Sequence, residues 1–376
     1  MLLAHTTLNV LCGEFISNVS LQGLYILTIR MKVMDWITIE QKIRNECKTH
    51  RKSIEYTQKY IAYSKNLFNK NLPIISSPEH FSMLVGIEHE YVCSMAYASE
   101  RFYRRFYIPK KSGQKRAIDE PLPDLKFVQT WILKNILERC PVSDYAKAFV
   151  IGRNLKHNAR FHRAQKVVVT MDIKDFFPSI SIGSIVDIFE DMGYFHDLSC
   201  FLAYLCCLNN VLPQGAPTSP YLSNLRALCL DKKICEYTSG KKIRYTRYAD
   251  DLTFSGDFNP HLLIKDISKI VFDEKFIINT EKTRIARKNT RQEVTGIVVN
   301  SHMQISKEKR KCIRQQIYYI NKFGIESHLE HIKETRANYL NHIMGQINFA
   351  LFVNPKDEEM KRYFDIIKEV IQKQKI

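Results

Sequence analysis

The sequence predicts an α+β protein, with helices flanking an antiparallel sheet and a helical part completing the C-terminus. Three stretches carry that prediction. "KVVVTMDI", residues 166–173, is a short continuous apolar run ending near Asp172, as expected of a strand buried on both faces. "RYTRYADDLTFSG", residues 244–256, reads as two strands meeting at a tight turn, with Tyr245, Tyr248, Leu252 and Phe254 suited to burial. From residue 306 onward the apolar period is helical. In "KDEEMKRYFDIIKEVIQ", Met360, Tyr363, Phe364, Ile367 and Ile371 share one stripe.

The remaining elements follow in order. Residues 35–100 read as helices, interrupted at "NKNLPIISSPEHF". "RFYRRFYIPKKSGQKR", 101–116, alternates aromatic and basic residues around a glycine turn, the pattern of a hairpin with a cationic face. "PDLKFVQTWILKNILERC" is an amphipathic helix with Leu125, Val128, Ile132 and Ile136 on one stripe and Asp124 as its N-cap. "SIGSIVDIFEDMGYF" is a helix ending near Gly193, and a second apolar helix spans about 198–208. "LPQGAPTSP", 212–220, is a Pro/Gly loop that opens a helix through 221–237. After the 244–256 hairpin come a helix, "HLLIKDISKIVFDE", a strand and turn, "FIINTEKTRIA", and a strand pair, "EVTGIVVN". No internal repeat or low-complexity linker interrupts the chain.

At 376 residues and 45% hydrophobic, the chain can bury a large core in two or three subdomains. Its formal net charge of +17 points to an acidic partner, nucleic acid or an anionic membrane surface. The ten cysteines form no C-x-x-C pair and no zinc-type array. They read as reduced thiols of a cytoplasmic protein. "LNVLCGEFISNVSLQGLYILTI", 8–29, is nearly apolar enough for a membrane segment, but Glu14 interrupts it and no basic region precedes it. The expectation is an upstream extension from a misassigned start codon, with no membrane anchoring.

Asp172 ends a buried strand, and Asp250 and Asp251 sit at a hairpin tip, where a turn relaxes strict alternation. Three uncompensated carboxylates brought together would raise one another's pKa. Divalent cations remove that cost. Magnesium takes oxygen ligands and keeps positions open for substrate phosphates. Two such ions can serve the attacking and leaving oxygens of phosphoryl transfer. Three solvated loop acids are the plainer alternative.

"YADD" on a hairpin, "DIKDFFPSI" ahead of it and "LPQGAPTSP" between them resemble the motifs of reverse transcriptases, in order and in spacing. More narrowly, "RFYIPKKSGQKRAIDEP", "HNARFH" at 157–162 and "VTGIVV" at 294–299 are similar to the fingers, Asn-Ala-x-x-His and Val-Thr-Gly elements of bacterial retron reverse transcriptases. The likeness runs from about Leu72 to Pro355. It implies a right-hand polymerase fold. Residues 1–34 would be an uncertain extension, 35–165 N-terminal helices and fingers, 166–300 a palm with finger helices between its motifs, and 301–376 a thumb.

The resemblance also implies roles. Asp172 and Asp250 would hold two Mg2+ ions, with Asp251 as third carboxylate and the Ile173 carbonyl as a further ligand. Phe177 would pack under the incoming sugar and exclude a 2′-OH. Gln214 would contact nucleotide or template. Lys111 and Arg116 would grip the triphosphate, a task suited to cations. Lys282 would protonate the pyrophosphate. Asn158 and His162, four residues apart and able to share a helix face, would serve RNA recognition; a satisfied structural histidine is the alternative. Arg284, Arg287, Lys288, Arg291, Lys309 and Arg310 would form a basic surface tracking RNA, unless they are only a solvated face.

The implied activity is RNA-directed DNA synthesis on a cognate structured non-coding RNA, started from a guanosine 2′-OH. Its product is a branched RNA–DNA molecule. Deoxynucleotides, host RNase H and a separately encoded effector in anti-phage defence would be the partners. A group II intron-like or other defence-associated enzyme, or a non-catalytic RNA scaffold, are the competing classes. The scaffold has no physical need for three converging carboxylates.

Overall fold

The computed structural model describes residues 35–109 and 113–373. The N-terminal apolar stretch and Lys111 therefore lie outside the described residues. In chain order the first elements are α1 (Trp36–Thr49), α2 (Ile54–Asn69), α3 (Pro78–Val85), α4 (His89–Tyr97), β1 (Tyr103–Pro109), β2 (Lys115–Pro121) and α5 (Pro123–Asn135). Then come α6 (Leu155–Phe161), β3 (Val167–Ile173), α7 (Ile182–Met192), α8 (His196–Cys206), α9 (Ser219–Arg226) and α10 (Leu228–Thr238). They are followed by β4 (Arg244–Tyr248), β5 (Asp251–Gly256), α11 (Pro260–Asp273), β6 (Ile278–Arg287), β7 (Glu293–Val294) and β8 (Ile297–Val298). The chain closes with α12 (Lys307–Phe323), α13 (Ile325–Ile332), α14 (Tyr339–Val353) and α15 (Glu358–Lys373).

The chain divides into two compact units. The first gathers residues up to Ser143 with Asp175–Cys229, and the second Asp144–Lys174 with Leu230–Ile376. Strand β3 and the C-terminal helices thus fall in one unit, whereas the segment after Lys174 returns to the first.

In the first unit, helix starts follow capping chemistry. Ser53 and Ser77 accept from the backbone N–H of Tyr56 and His80, and Pro78 begins α3. The expected Asp124 cap is not one. Pro123 takes the first helical position, so Asp124 already lies inside α5, where it accepts from the Tyr91 hydroxyl. The stripe Leu125, Val128, Ile132 and Ile136 is fully buried. Phe81 meets Trp131 and Phe201 edge-on, the geometry ring quadrupoles favour. Strands β1 and β2 pair from Tyr103↔Pro121 to Pro109↔Lys115.

In the second unit, four antiparallel strands run in the order β4-β5-β3-β6. Pairing of Val169 with Phe254 and of Phe254 with Tyr245 puts these side chains on one face, with Met171, Leu252 and Arg247 beside them. That face is buried. The opposite face carries Val168, Thr170 and Asp172 of β3 beside Ser255, Thr253 and Asp251 of β5. One end of this second face is covered by α6 and the β7–β8 hairpin: Ala159, Val168, Val294, Ile297, Val299 and Val353 form one apolar cluster. Helices α12 to α15 enclose a cluster of their own around Ile313, Ile317, Ile343, Ile347, Met360 and Ile367, with Tyr363, Phe364 and Ile371 packed against it. Among the described residues the cysteines are unbridged, and no helix is long and apolar enough to cross a membrane.

Candidate active site

The second unit builds its site on β3, β5 and β6. Asp172 stands directly opposite Asp251 across the β3–β5 ladder. Opposed residues have Cβ atoms about 5 Å apart, so two carboxylates share one spot on one face. Asp250 lies in the two-residue turn between Tyr248 and Asp251, which pair with each other. Its carbonyl accepts from the Ile173 N–H at 2.9 Å, which clasps the hairpin tip to the end of β3. Ala249, the other turn residue, has φ +57°, a conformation a non-glycine residue adopts only under local constraint.

Lys282 joins them from the edge strand. Between Thr170↔Arg284 and Asp172↔Asn279, β3 advances two residues while β6 advances five. That bulge re-aims a side chain, as bulges do beside functional sites. The Lys282 ammonium donates to Asp172 Oδ1 at 2.9 Å. The hydrogen bond to Asp172 holds the lysine pKa above its ordinary value. Burial, then the charges of Asp250 and Asp172, push the Asp251 carboxyl up to about 7, against the pull of Lys282. Asp172, Asp251 and Lys282 line a cavity of about 320 Å³.

Two buried polar groups support the hairpin. Arg247 grips Asp231 through both carboxylate oxygens at 2.9 and 2.8 Å, and the Tyr245 hydroxyl donates to the same aspartate at 2.7 Å. Arg247 also donates to the carbonyl of the turn residue Ala249 at 3.2 Å. Sequence reading missed this pair. Strand alternation was the available signal, because it puts Arg247 two residues from Tyr245 on the apolar face.

Asn158 and His162 do not present their side chains to a nucleic acid; both have no exposed surface. His162 bridges Ser255 Oγ and Thr246 Oγ1 at 2.7 Å each, and Thr246 donates to Asn158 Oδ1. Burial, with Arg244 and Lys147 nearby, pushes its pKa down to about 3, so it is a neutral brace between β4, β5 and α6. The satisfied structural histidine is the reading that fits.

The basic residues separate into kinds. Arg284 lines the cavity, and alternation along β6 puts the exposed Arg287 on the opposite face. Lys288 is exposed. Arg291 is held by Glu293 at 3.1 Å and Glu308 at 2.7 Å. Lys309 sits 5.6 Å from the Phe349 ring centroid. Arg310 is not a surface contact. It is bidentate to Asp357 at 2.6 and 2.7 Å and also bonds Glu359, fixing α12 to α15.

The first unit carries the other expected positions. Arg104 and Arg105 are ion-paired with Glu120 and Asp119 across the β1–β2 hairpin, whereas Arg116 is exposed opposite Ile108. The Gln214 carbonyl accepts from the Asp119 N–H at 2.8 Å, tying loop 212–220 to β2. Gly215, at φ +135°, is required there: a Cβ would stand 2.5 Å from the Asp119 carbonyl oxygen. Phe176 is buried and Phe177 half-buried.

The donor set suits a hard divalent cation: clustered carboxylate oxygens, one of them short of compensating positive charge. Among the described residues no three His, Cys, Asp or Glu side chains already stand as a cage; Lys282 is the cation on Asp172 in this structure.

Residues 108–340 match the family described as reverse transcriptase (RNA-dependent DNA polymerase). The chain is 33% identical over 310 residues to the retron Ec86 reverse transcriptase of Escherichia coli, covering 81% of this chain and 92% of that protein. It is 32% identical over 295 residues to the retron Mx65 reverse transcriptase of Myxococcus xanthus, covering 73% and 67%. A solved foamy viral protease-reverse transcriptase in complex with RNA/DNA hybrid is 15% identical, covers 71% of this chain and 33% of that one, and has a TM-score of 0.39, too low to carry an argument.

Proposed function

This chain belongs to the retron branch of the reverse transcriptases and is an RNA-directed DNA polymerase, and we propose that it copies part of a cognate structured non-coding RNA from a guanosine 2′-OH. The observation that carries the reading is Asp172 facing Asp251 across paired strands with Asp250 clasped beside them. Reverse transcriptases use divalent ions; here Asp172, Asp250 and Asp251, with the Ile173 carbonyl, would hold two Mg2+ ions. When bound, such ions stabilise the charge on the attacking and leaving oxygens.

The chain's own residues do the rest. The primer hydroxyl oxygen bonds to the α-phosphorus of a deoxynucleoside triphosphate, the bond to pyrophosphate breaks, and the hydroxyl proton passes to water. Lys282, kept protonated, gives its proton to the pyrophosphate after leaving Asp172; its 60% exposed side chain has room to turn. Arg116 and Lys111 hold the triphosphate, Gln214 and its strapped loop position nucleotide or template, and the half-buried Phe177 ring excludes a ribose 2′-OH. Arg284, Arg287, Lys288, Arg291 and Lys309 meet RNA phosphates. The branched product, trimming by host RNase H, a separate effector, a cytoplasmic setting and a role in anti-phage defence complete the proposal. So does the division into fingers, palm and thumb.

The test is to express the gene with its native flanking DNA and run the co-purifying nucleic acid on a denaturing gel before and after RNase. The Asp250→Asn, Asp251→Asn variant is the comparison. A discrete DNA joined to RNA, absent from the variant, is the expected result. The same DNA from the variant would refute the carboxylate assignment, and RNA without DNA in both would refute the retron reading.

A further inference from the structure

The first unit carries a polar cavity of about 280 Å³ where the end of α4, the 3-10 turn Ser99–Phe102, the end of α8 and the turn after it meet. Its wall presents side chains that solvent reaches: Tyr97, Glu100, Arg101, Tyr204, Asn209 and Asn210 are all exposed. The Tyr97 ring, 65% exposed, lies with its centroid 6.1 Å from that of the buried Phe201 and meets Tyr204 at 5.4 Å and 58°. Ring contacts on one side fix it, while most of its surface stays in water. A rigid aromatic face left open in this way is suited to stacking.

The polar groups beside it are held in place yet unengaged. Leu208 and Val211 exchange backbone hydrogen bonds at 2.9 and 3.1 Å, so Asn209 and Asn210 are the central residues of a two-residue turn. Their φ values, +51° and +61°, are those of a type I′ turn, which asparagine tolerates. The Asn210 carbonyl accepts from the Ile182 N–H at 2.8 Å, which pins the turn to the start of α7. Arg104 and Arg105 are paired with Glu120 and Asp119. The Arg101 guanidinium and both carboxamides have no partner among the described residues. An unstacked nucleobase complements such a wall: it has two π-faces, an edge of donors and acceptors, and a phosphate attached through its sugar. Glu100 would repel a phosphate lodged in the cavity itself but can accept from a base amino group. A protein anchor would seek an apolar pocket, whereas the exposed part of this wall is polar or aromatic. The cavity falls just under the ~300 Å³ at which drug-sized sites begin, which suits a single base.

We propose that this cavity binds one unpaired nucleobase of a single-stranded RNA, stacked on Tyr97, with its edge read by Asn209, Asn210 and Glu100 and its phosphate met by Arg101. This rests on the reading that the chain's partner is RNA. A base inside a duplex is already stacked and its faces are covered, so the site takes single strands and passes over helices. The turn that carries the asparagines runs directly into loop 212–220, where the Leu212 N–H donates to the Ile180 carbonyl at 3.1 Å. RNA caught here is held at one end of a short segment whose other end, Gln214, is tied to β2.

The experiment measures, by fluorescence anisotropy, binding of the full chain to a short fluorescein-labelled single-stranded RNA of mixed sequence, and to the same RNA annealed to its complement. Tyr97→Ala removes the ring, Tyr97→Phe keeps it, and Arg101→Gln removes the charge. These side chains are exposed, so melting temperatures should hold. With Tyr97→Ala the expected result is a loss of about tenfold on the single strand and duplex affinity within about twofold of the parent. Tyr97→Phe should recover the loss, and Arg101→Gln should reduce the salt slope by about one. Unchanged single-strand affinity in Tyr97→Ala, an equal loss on the duplex, or no recovery with Tyr97→Phe would overturn the proposal. Loss of a co-purifying protein from Tyr97→Ala with RNA affinity unchanged would overturn it in favour of a protein partner. Parent protein that binds neither RNA would instead remove the RNA partner on which it stands.

Discussion

Replacing Asp251 by Asn should make the metal-free protein more stable at pH 8 while ending catalysis. Across the β3–β5 ladder Asp251 faces Asp172 and neighbours Asp250, partly shielded from water. Its carboxyl is raised from 3.8 to about 7. A raised carboxyl favours the folded state when protonated, so its stability contribution is intact below the unfolded pKa and disappears as pH rises through 7. At roughly 1.4 kcal/mol per pH unit, ionising Asp251 costs about 4 kcal/mol by pH 8 but under about 2 kcal/mol at pH 5. The assay is urea unfolding in EDTA at both pH values, followed by circular dichroism. Both tryptophans, Trp36 and Trp131, lie in the first unit and would not report on the second. The variant should exceed the parent by about 4 kcal/mol at pH 8 and by much less at pH 5. Adding Mg2+ should stabilise the parent and help the variant less. An advantage that does not grow with pH would refute the electrostatic account of the site.

Arg247→Met leaves Asp231 buried without its partner and should cost about 3–5 kcal/mol; urea unfolding checks it, and a loss below about 1 kcal/mol would mean the pair does not hold the hairpin. Gly215→Ala drives a Cβ into the Asp119 carbonyl and should raise the KM for deoxynucleotide severalfold while leaving unfolding of the sheet unit unchanged; an unaltered KM would separate loop 212–220 from nucleotide binding. RNA affinity should fall steeply with salt, and Arg284, Arg287 and Lys288 changed together to Ala should reduce the log–log slope by about 2–3. Arg310→Ala should leave that slope alone and lower the melting temperature, because its charge is spent within the protein on Asp357 and Glu359.

Which parts were legible follows from the range of the forces involved. The apolar run at 166–173 and the alternation around Tyr245 and Phe254 fix a strand, a hairpin and their faces locally, so the convergence of Asp172 with Asp251 could be read directly. The Lys282 approach could not be, since it depends on a bulge formed where β6 slips against β3. The spacing of Asn158 and His162 says that they share a side of the helix but not which way that side faces. The answer came from Thr246 and Ser255, residues far along the chain. Arg310 looked like its basic neighbours because its acids, Asp357 and Glu359, lie some fifty residues onward. Interactions that close long loops leave little trace in local pattern.

The two faces of the sheet stand in opposition. One face is apolar and carries a bidentate, fully buried Arg247–Asp231 pair whose donors reach the Ala249 carbonyl at the hairpin tip. The other bears two opposed carboxylates that repel each other, a turn residue at φ +57° and, beyond them, Thr295 at φ +48° with a buried hydroxyl that has no hydrogen-bond partner among the described residues. Each of those features is destabilising by itself. They persist because the strands that carry them are held from behind by Arg247 and from one end by His162 and the α6–hairpin cluster. Relieving any one of them should therefore stabilise the fold and impair catalysis together, the pattern expected when strain is kept for substrate rather than tolerated by accident.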